Sequence, residues 1–189
     1  MKRIAIFASG AGTNAARIIE YFEGHPSVEV SLVASNKKDA PVLEKAQKAG
    51  VPIFVFNRDE FYDSNRVIEK LADLKIDFVV LAGFMWLVPE NLIKAYSNRI
   101  INVHPALLPK FGGKGMYGMN VHRAVKEAGE TESGITIHLV NQEYDKGRIL
   151  FQAKCELSEK DSAESIATKI HGLEYANFPF EIERYIMNQ

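Results

Sequence analysis

Ile4-Ala5-Ile6-Phe7-Ala8-Ser9-Gly10-Ala11-Gly12-Thr13-Asn14 is the stretch that decides the fold class. Five consecutive apolar residues read as a strand buried on both faces, the habit of parallel sheets. Glycines at 10 and 12 then turn the chain, and residues 14–22 read as a helix. A strand that passes through a glycine turn into a helix opens a βαβ unit.

The same alternation continues outward. Apolar runs at 28–34, 53–56, 78–82 and 100–103 read as strands. Between them, helices are expected at 40–49, closed by Gly50, at 58–74, and in a short segment started by Pro89. This predicts an α/β fold: a doubly wound, mostly parallel, Rossmann-like sheet with helices on both faces. After His104 the pattern changes. Residues 105–118 hold two prolines and four glycines with little periodicity, a long connection of the kind that is functional or mobile. A helix at 121–128 and a strand at 134–140 follow, the strand with Ile135, Ile137 and Leu139 on one face and Thr136, His138 and Val140 on the other. A strand at 149–155 and a helical stretch at 162–187, interrupted near Pro179, complete the chain. No linker, repeat or low-complexity segment breaks it, so a single domain over 1–189 is expected.

Composition narrows the class. The 189 residues are 47% hydrophobic and 25% charged, which suits one soluble domain with a sizeable core. With 23 basic and 24 acidic residues the net charge is -1, which advertises no general affinity for nucleic acid or an anionic membrane. Cys155 is the single cysteine, so no internal disulfide and no cysteine metal cluster can form. No apolar run approaches the ~18 residues of a membrane span. Residues 4–8 are shorter than the ~7–15 of a signal-peptide core. A cytoplasmic protein without membrane or nucleic-acid partners is the expectation.

Two groups of residues carry chemistry. In the first loop, glycine backbone and a helix N-terminus offer free N–H groups, with Thr13 and Asn14 adding a hydroxyl and an amide. A phosphate suits that cradle; the plainer use is a tight turn with Thr13 or Asn14 as helix cap. The loop lacks the third glycine of the dinucleotide fingerprint, and Ala34-Ser35-Asn36-Lys37 stands where a ribose-binding carboxylate would be. That points away from NAD and toward a small phosphorylated substrate. The second group is Asn102-Val103-His104-Pro105, answered later by Asp145-Lys146-Gly147. Asn102 and His104 are two apart on a strand and share a face, and Pro105 ends the ladder. Amide, imidazole and carboxylate are the parts needed to move an acyl group. Singly, each has an ordinary use: an amide on loop backbone, a packed ring, a turn aspartate.

The chain resembles the folate-dependent formyltransferases of purine synthesis. The resemblance rests on Ser9-Gly10-Ala11-Gly12-Thr13-Asn14, on Leu81-Ala82-Gly83-Phe84-Met85, on the run from Asn102 to Lys110 (Asn-Val-His-Pro-Ala-Leu-Leu-Pro-Lys), and on residues 134–152 around Asp145. It implies transfer of the formyl group of 10-formyltetrahydrofolate, as co-substrate, to the amine of glycinamide ribonucleotide, without metal. It also implies Asn102, His104 and Asp145 as the catalytic trio. Gly12, Thr13 and Asn14 would hold the substrate phosphate, with Glu174 near the glycinamide end. Met85, Trp86, Leu87 and Val88, with Asn102, would hold the folate. The protein would act as monomer or homodimer. Departures are expected at residues 110–120, longer than in relatives and glycine-rich, and near Arg58 and Arg66, where no clear folate-tail arginine stands. His138 is read as a structural residue able to support Asp145, Cys155 as structural, His25 as a loop residue, and His122 and His171 as helix-surface residues. Three other readings share this core: a formyltetrahydrofolate deformylase and a methionyl-tRNA formyltransferase, both expected to carry further domains, and a nucleotide-binding sensor, which leaves the trio unexplained.

Overall fold

The computed structural model describes residues 1–189. The elements are β1 (Lys2–Phe7), α1 (Thr13–Phe22), β2 (Val28–Ser35), α2 (Pro41–Lys48), β3 (Ile53–Val55), α3 (Arg58–Tyr62), α4 (Arg66–Asp73), β4 (Phe78–Leu81), α5 (Glu90–Ala95), β5 (Ile100–His104), α6 (Met119–Glu127), β6 (Glu132–Leu139), β7 (Ile149–Glu156) and α7 (Ala163–Met187). The strand order is β3-β2-β1-β4-β5-β6-β7. β1 runs parallel to β2 and β4, and β2 to β3, whereas β6 and β7 are antiparallel. The expected α/β class with a mostly parallel sheet is therefore present, and its order reverses direction beside β1, where such sheets bind ligands. By its contacts the chain divides into two compact units, Met1–Ile101 with Gln189, and Asn102–Asn188, so the boundary falls within β5.

In the first unit, β1 is the central strand of its group and Ile4, Ile6 and Phe7 are fully buried beside Val79 and Val80. Phe7 opens an aromatic cluster: its ring lies 5.6 Å from Phe56 and 5.5 Å from Phe84, Phe56 stacks on Phe61 at 5.0 Å, and Phe61 reaches Trp86 at 5.7 Å. Arg58 caps this cluster over the rings of Tyr62, at 4.9 Å, and Trp86, at 5.9 Å. The helix expected over 58–74 is two helices. Asn57 and Glu60 form a capping box that starts α3. The Ser64 hydroxyl donates to the Glu60 carbonyl and accepts from the Arg66 N–H, which turns the chain before α4.

In the second unit, β6 is buried from Ser133 to Leu139, so both of its faces are interior and the Thr136–His138 face is not solvated. Thr136 satisfies its buried hydroxyl completely. It donates to the Ala106 carbonyl at 2.7 Å, and accepts from the Leu108 N–H at 3.0 Å and from Gln152 Nε2 at 2.9 Å. α7 is continuous over 25 residues, and Pro179 does not interrupt it. Proline removes one ladder bond, but Phe178, Ile182 and Ile186 bury the helix on both sides of it. His122 is 3% exposed, interior where a helix surface was expected.

Candidate active site

In the first unit the glycine loop is held by α2. The Val42 N–H donates to the Gly10 carbonyl at 3.2 Å, and Lys45 Nζ to the Ala11 carbonyl at 2.7 Å. Gly12, not Thr13 or Asn14, is the N-cap of α1; it adopts φ 67°, and no side chain caps the helix start. A Cβ at Gly12 would overlap Val42, so glycine is required there both for its positive φ and for the close approach. The uncapped first turn is the anion-binding end of the helix dipole.

The segment 85–88 already spends part of its backbone within the protein. The Met85 N–H donates to Ser9 Oγ at 3.0 Å, and the Leu87 carbonyl accepts from the Tyr62 hydroxyl at 2.9 Å. Met85 is 44% exposed, Val88 is buried, and Trp86 is partly covered by the aromatic cluster. The other backbone groups of this segment, the Met85 carbonyl, the Leu87 N–H and both groups of Trp86 and of Val88, make no hydrogen bond within the protein.

In the second unit the predicted trio meets. His104 Nδ1 lies 3.5 Å from Asp145 Oδ2, and both side chains are largely buried. His104 Nε2 bonds the Phe111 carbonyl at 2.8 Å. A carbonyl only accepts, so Nε2 carries the proton. Gly113 N–H donates to Asp145 Oδ2 at 2.9 Å. His138, 2% exposed, joins them: Nδ1 donates to the Leu139 carbonyl at 2.9 Å, Nε2 faces Asn102 Nδ2 at 3.0 Å and Asp145 Oδ1 at 3.6 Å. Nε2 can hold one proton at most. With Asn102 presenting its N–H, Nε2 is the acceptor, and the shorter distance to Asn102 favours that state. Asp145 itself takes φ 57° in the turn after β6, a conformation aspartate tolerates better than most residues.

Burial dominates the electrostatics of His104. It pushes the imidazole below its ordinary value, against the opposing pull of Asp145 and of the Phe111 carbonyl, with His138 lowering it further. Asp145 does raise His104, but burial outweighs it in the sum. Burial raises Asp145, but its hydrogen-bonding neighbours outweigh that and the carboxyl stays below its usual range: His138 lowers it whenever the Nε2 proton is turned to Asp145 Oδ1 instead of the Asn102 N–H to Nε2, and His104 and the Gly113 N–H lower it in either arrangement. A neutral imidazole beside a carboxylate is a site ready to accept one proton.

His138, read from sequence as a structural residue able to support Asp145, lies beside it; the Phe111 carbonyl and the Gly113 N–H were not assigned to this site from sequence. The alternation of β6 placed His138 on the same face as Thr136, two residues from it and near Asp145 in sequence, which is the signal available for it. Backbone groups leave no sequence signal beyond the glycines. Glu174 is 5% exposed, buried on the face of α7 that carries Ile170 and Phe178. His25 accepts from the N–H groups of Ser27 and Val28 in the turn before β2. His171 is exposed and stacks on Tyr175.

The family described as formyl transferase matches residues 2–182, across both units. A chloroplastic phosphoribosylglycinamide formyltransferase of Arabidopsis thaliana is 42% identical over 175 residues, covering 89% of this chain and 60% of the relative. This chain spans less than two thirds of the length of that relative and of its Vigna unguiculata counterpart, at 56%. The Haemophilus influenzae phosphoribosylglycinamide formyltransferase is 36% identical over 188 residues, covering 97% of this chain and 86% of the relative. Among solved structures, the phosphoribosylglycinamide formyltransferase of Anaplasma phagocytophilum superposes with a TM-score of 0.88 at 35% identity, covering 96% of this chain and 84% of that one. With the match running from β1 into the last helix and enclosing Asn102, His104 and Asp145, the chain belongs to the formyl transferase family.

Proposed function

We propose that this chain transfers the formyl group of 10-formyltetrahydrofolate to the amine of glycinamide ribonucleotide. The observation that carries the reading is the convergence of Asn102, His104, His138 and Asp145 in one buried network. The amine attacks the formyl carbon, a C–N bond forms, and the carbonyl oxygen becomes an oxyanion. Asn102 Nδ2 has a second N–H beyond the one given to His138, and that N–H serves the oxyanion. The His104–Asp145 pair takes the proton released by the amine. Once protonated at Nδ1, His104 donates as well, and on collapse the proton passes to the departing folate nitrogen. Gly12, Thr13 and Asn14 hold the substrate phosphate at the start of α1, supported by the uncapped helix end and the glycine cradle. Met85, Trp86, Leu87 and Val88 hold the pterin, with Trp86 and Val88 offering the open backbone groups. Glu174 is the proposed contact to the acceptor.

The test is formyl transfer measured with three acceptors: glycinamide ribonucleotide, water and initiator tRNA. Turnover confined to the first supports the reading. Equal or faster hydrolysis with water replaces it by a deformylase, and transfer to tRNA replaces it by a methionyl-tRNA formyltransferase.

A further inference from the structure

Three residues of main chain touch both members of the proton-accepting pair. The Phe111 carbonyl takes the His104 Nε2 proton at 2.8 Å, and the Gly113 N–H gives its proton to Asp145 Oδ2 at 2.9 Å. Two positive φ angles shape this clip, 54° at Phe111 and 96° at Gly113. A non-glycine residue at such a φ is uncommon and marks a conformation held in place by its surroundings. Gly112, between them, lies so close to Leu108 and to the Cβ of Asp145 that an added Cβ would overlap Leu108. The segment before the clip is itself fixed, because Gln152 Nε2 donates to the Leu108 carbonyl and Thr136 binds both Ala106 and Leu108.

The chemistry of the two contacts is directional. A carbonyl cannot donate, so a neutral His104 bonded to it must be the Nε2–H tautomer, with a bare Nδ1. A backbone N–H cannot accept, so it favours the ionised form of Asp145. The outcome is an unprotonated Nδ1 and a carboxylate Oδ2 aimed at one another 3.5 Å apart, with no proton between them.

We propose that the main chain of Phe111 and Gly113 positions the His104–Asp145 pair, fixing the tautomer of one and the ionised state of the other so that together they take up a single proton. This rests on the formyl-transfer reading above and adds the element that sets the proton's place. The proton comes from the attacking amine as its new C–N bond forms. It leaves to the folate nitrogen as the old C–N bond breaks, so the pair is restored after each turnover. Two side chains and one N–H face this locus from outside: His138 from β6 and the Gly113 N–H act on Asp145, and His122 from α6 acts on His104, with His171 from α7 behind His122.

Single-atom backbone replacement tests the clip in the full chain. Glycolate in place of Gly113 removes its N–H and weakens the Gly112 carbonyl, which makes no contact with the pair. Glycolate in place of Gly112 turns the Phe111 carbonyl into an ester carbonyl, a poorer acceptor. Two readouts apply: nitrogen chemical shifts of His104 in the free protein, and the pH profile of single-turnover formyl transfer. In the unaltered protein His104 should be protonated at Nε2 and bare at Nδ1. The ester at 112 should move population to the Nδ1–H tautomer. The ester at 113 removes a donor that holds Asp145 low, so the acid limb of the rate profile should move to higher pH. Each should lower the transfer rate by roughly tenfold, the worth of one hydrogen bond to a charged or nearly charged group, with KM for both substrates within about twofold. Gly113→Ala, strained at φ 96°, should reproduce the acid-limb shift in weaker or stronger form. A bare Nε2 in the unaltered protein overturns the proposal, as do unchanged tautomer and pH profile in both esters. Absence of transfer to glycinamide ribonucleotide in the unaltered protein would sink the activity reading while leaving the tautomer measurement to judge the clip.

Discussion

Asn102 and His138 meet through one hydrogen bond, Nδ2 to Nε2 at 3.0 Å, and that bond decides which end of the Asn102 amide faces outward. With His138 tied to the Leu139 carbonyl through Nδ1, its Nε2 is bare only while the ring is neutral. A ring protonated at Nε2 would reject the Asn102 N–H and turn toward Asp145 Oδ1. His138→Gln should therefore lower turnover by about tenfold, since one oriented oxyanion donor is degraded, not lost. Binding of the phosphorylated acceptor should change little. Steady-state kinetics with a KM and kcat split checks this, and an unchanged kcat would remove His138 from the site.

His104→Ala and Asn102→Ala each delete a donor to the developing oxyanion, and each should lower turnover by roughly 10²–10³. Asp145→Asn keeps the shape, loses the charge, and should cost a comparable factor. The losses should not add, because all three act on one transition state. Single-turnover transfer with circular dichroism on the same samples is the measurement. Folded variants with near-normal rates would leave the trio as a polar closure of the loop.

Thr136→Val keeps the volume but strands the Ala106 carbonyl and the Leu108 N–H in the interior. We expect a loss of about 2–3 kcal/mol in urea unfolding, from two buried groups left without partners. Turnover should fall with it, because the 106–108 segment leads from His104 to the clip.

His122 gives the pH dependence of stability its sign. Burial, with smaller contributions from His171 and His104, holds its pKa near 4, against 6.5 ordinarily. Between those values the unfolded chain binds the proton and the folded chain does not, so stability falls as pH drops from 6.5 toward 4 and levels off below. The full effect is roughly 3 kcal/mol. His104 is displaced in the same direction and adds to the slope. Asp145, held low, stabilises above its unfolded value and loses that stabilisation only as pH falls through its lower folded value. His122→Gln should flatten the stability curve in the 4 to 6.5 window. Denaturant midpoints across that range decide it.

Residues 110–120 form the glycine-rich part of the long connection, and their backbone is held unevenly. Gly113 N–H is bound to Asp145, whereas Gly115 and Gly118 adopt positive φ in an exposed turn before α6. Amide exchange should be slow at Gly113 without ligand and fast at 114, 115 and 118. Uniform exchange along the loop would show that the clip opens as freely as the rest.

Much of this was legible in the amino-acid pattern, and the misses have physical causes. Strands buried on both faces, such as residues 78–81, announce themselves as continuous apolar runs. Asn102 and His104 were legible because strand period places them together. The break at 63–65 was hidden because Ser64 supplies a local hydrogen bond that competes with the helix, without any proline or glycine to mark it. Pro179 misled in the other direction, since burial on either side of it carries the helix through. His122 was hidden because α6 is short and polar in composition, and its burial depends on packing against α7. The contacts of Phe111 and Gly113 are made by main chain, which looks alike in every sequence.

Trp86 is the only tryptophan in the chain, and it sits among Phe56, Phe61, Tyr62 and Phe84 beneath the Arg58 guanidinium. All indole emission therefore reports from the segment proposed to receive the pterin. Tyr62, with its ring 5.9 Å away, lies well inside the range for passing excitation energy to it. The protein thus carries its own optical gauge: a reduced pterin seated beside residues 85–88 would change the surroundings of that one indole and with them its emission, so donor occupancy can be followed in stopped flow without a label and without waiting for chemistry.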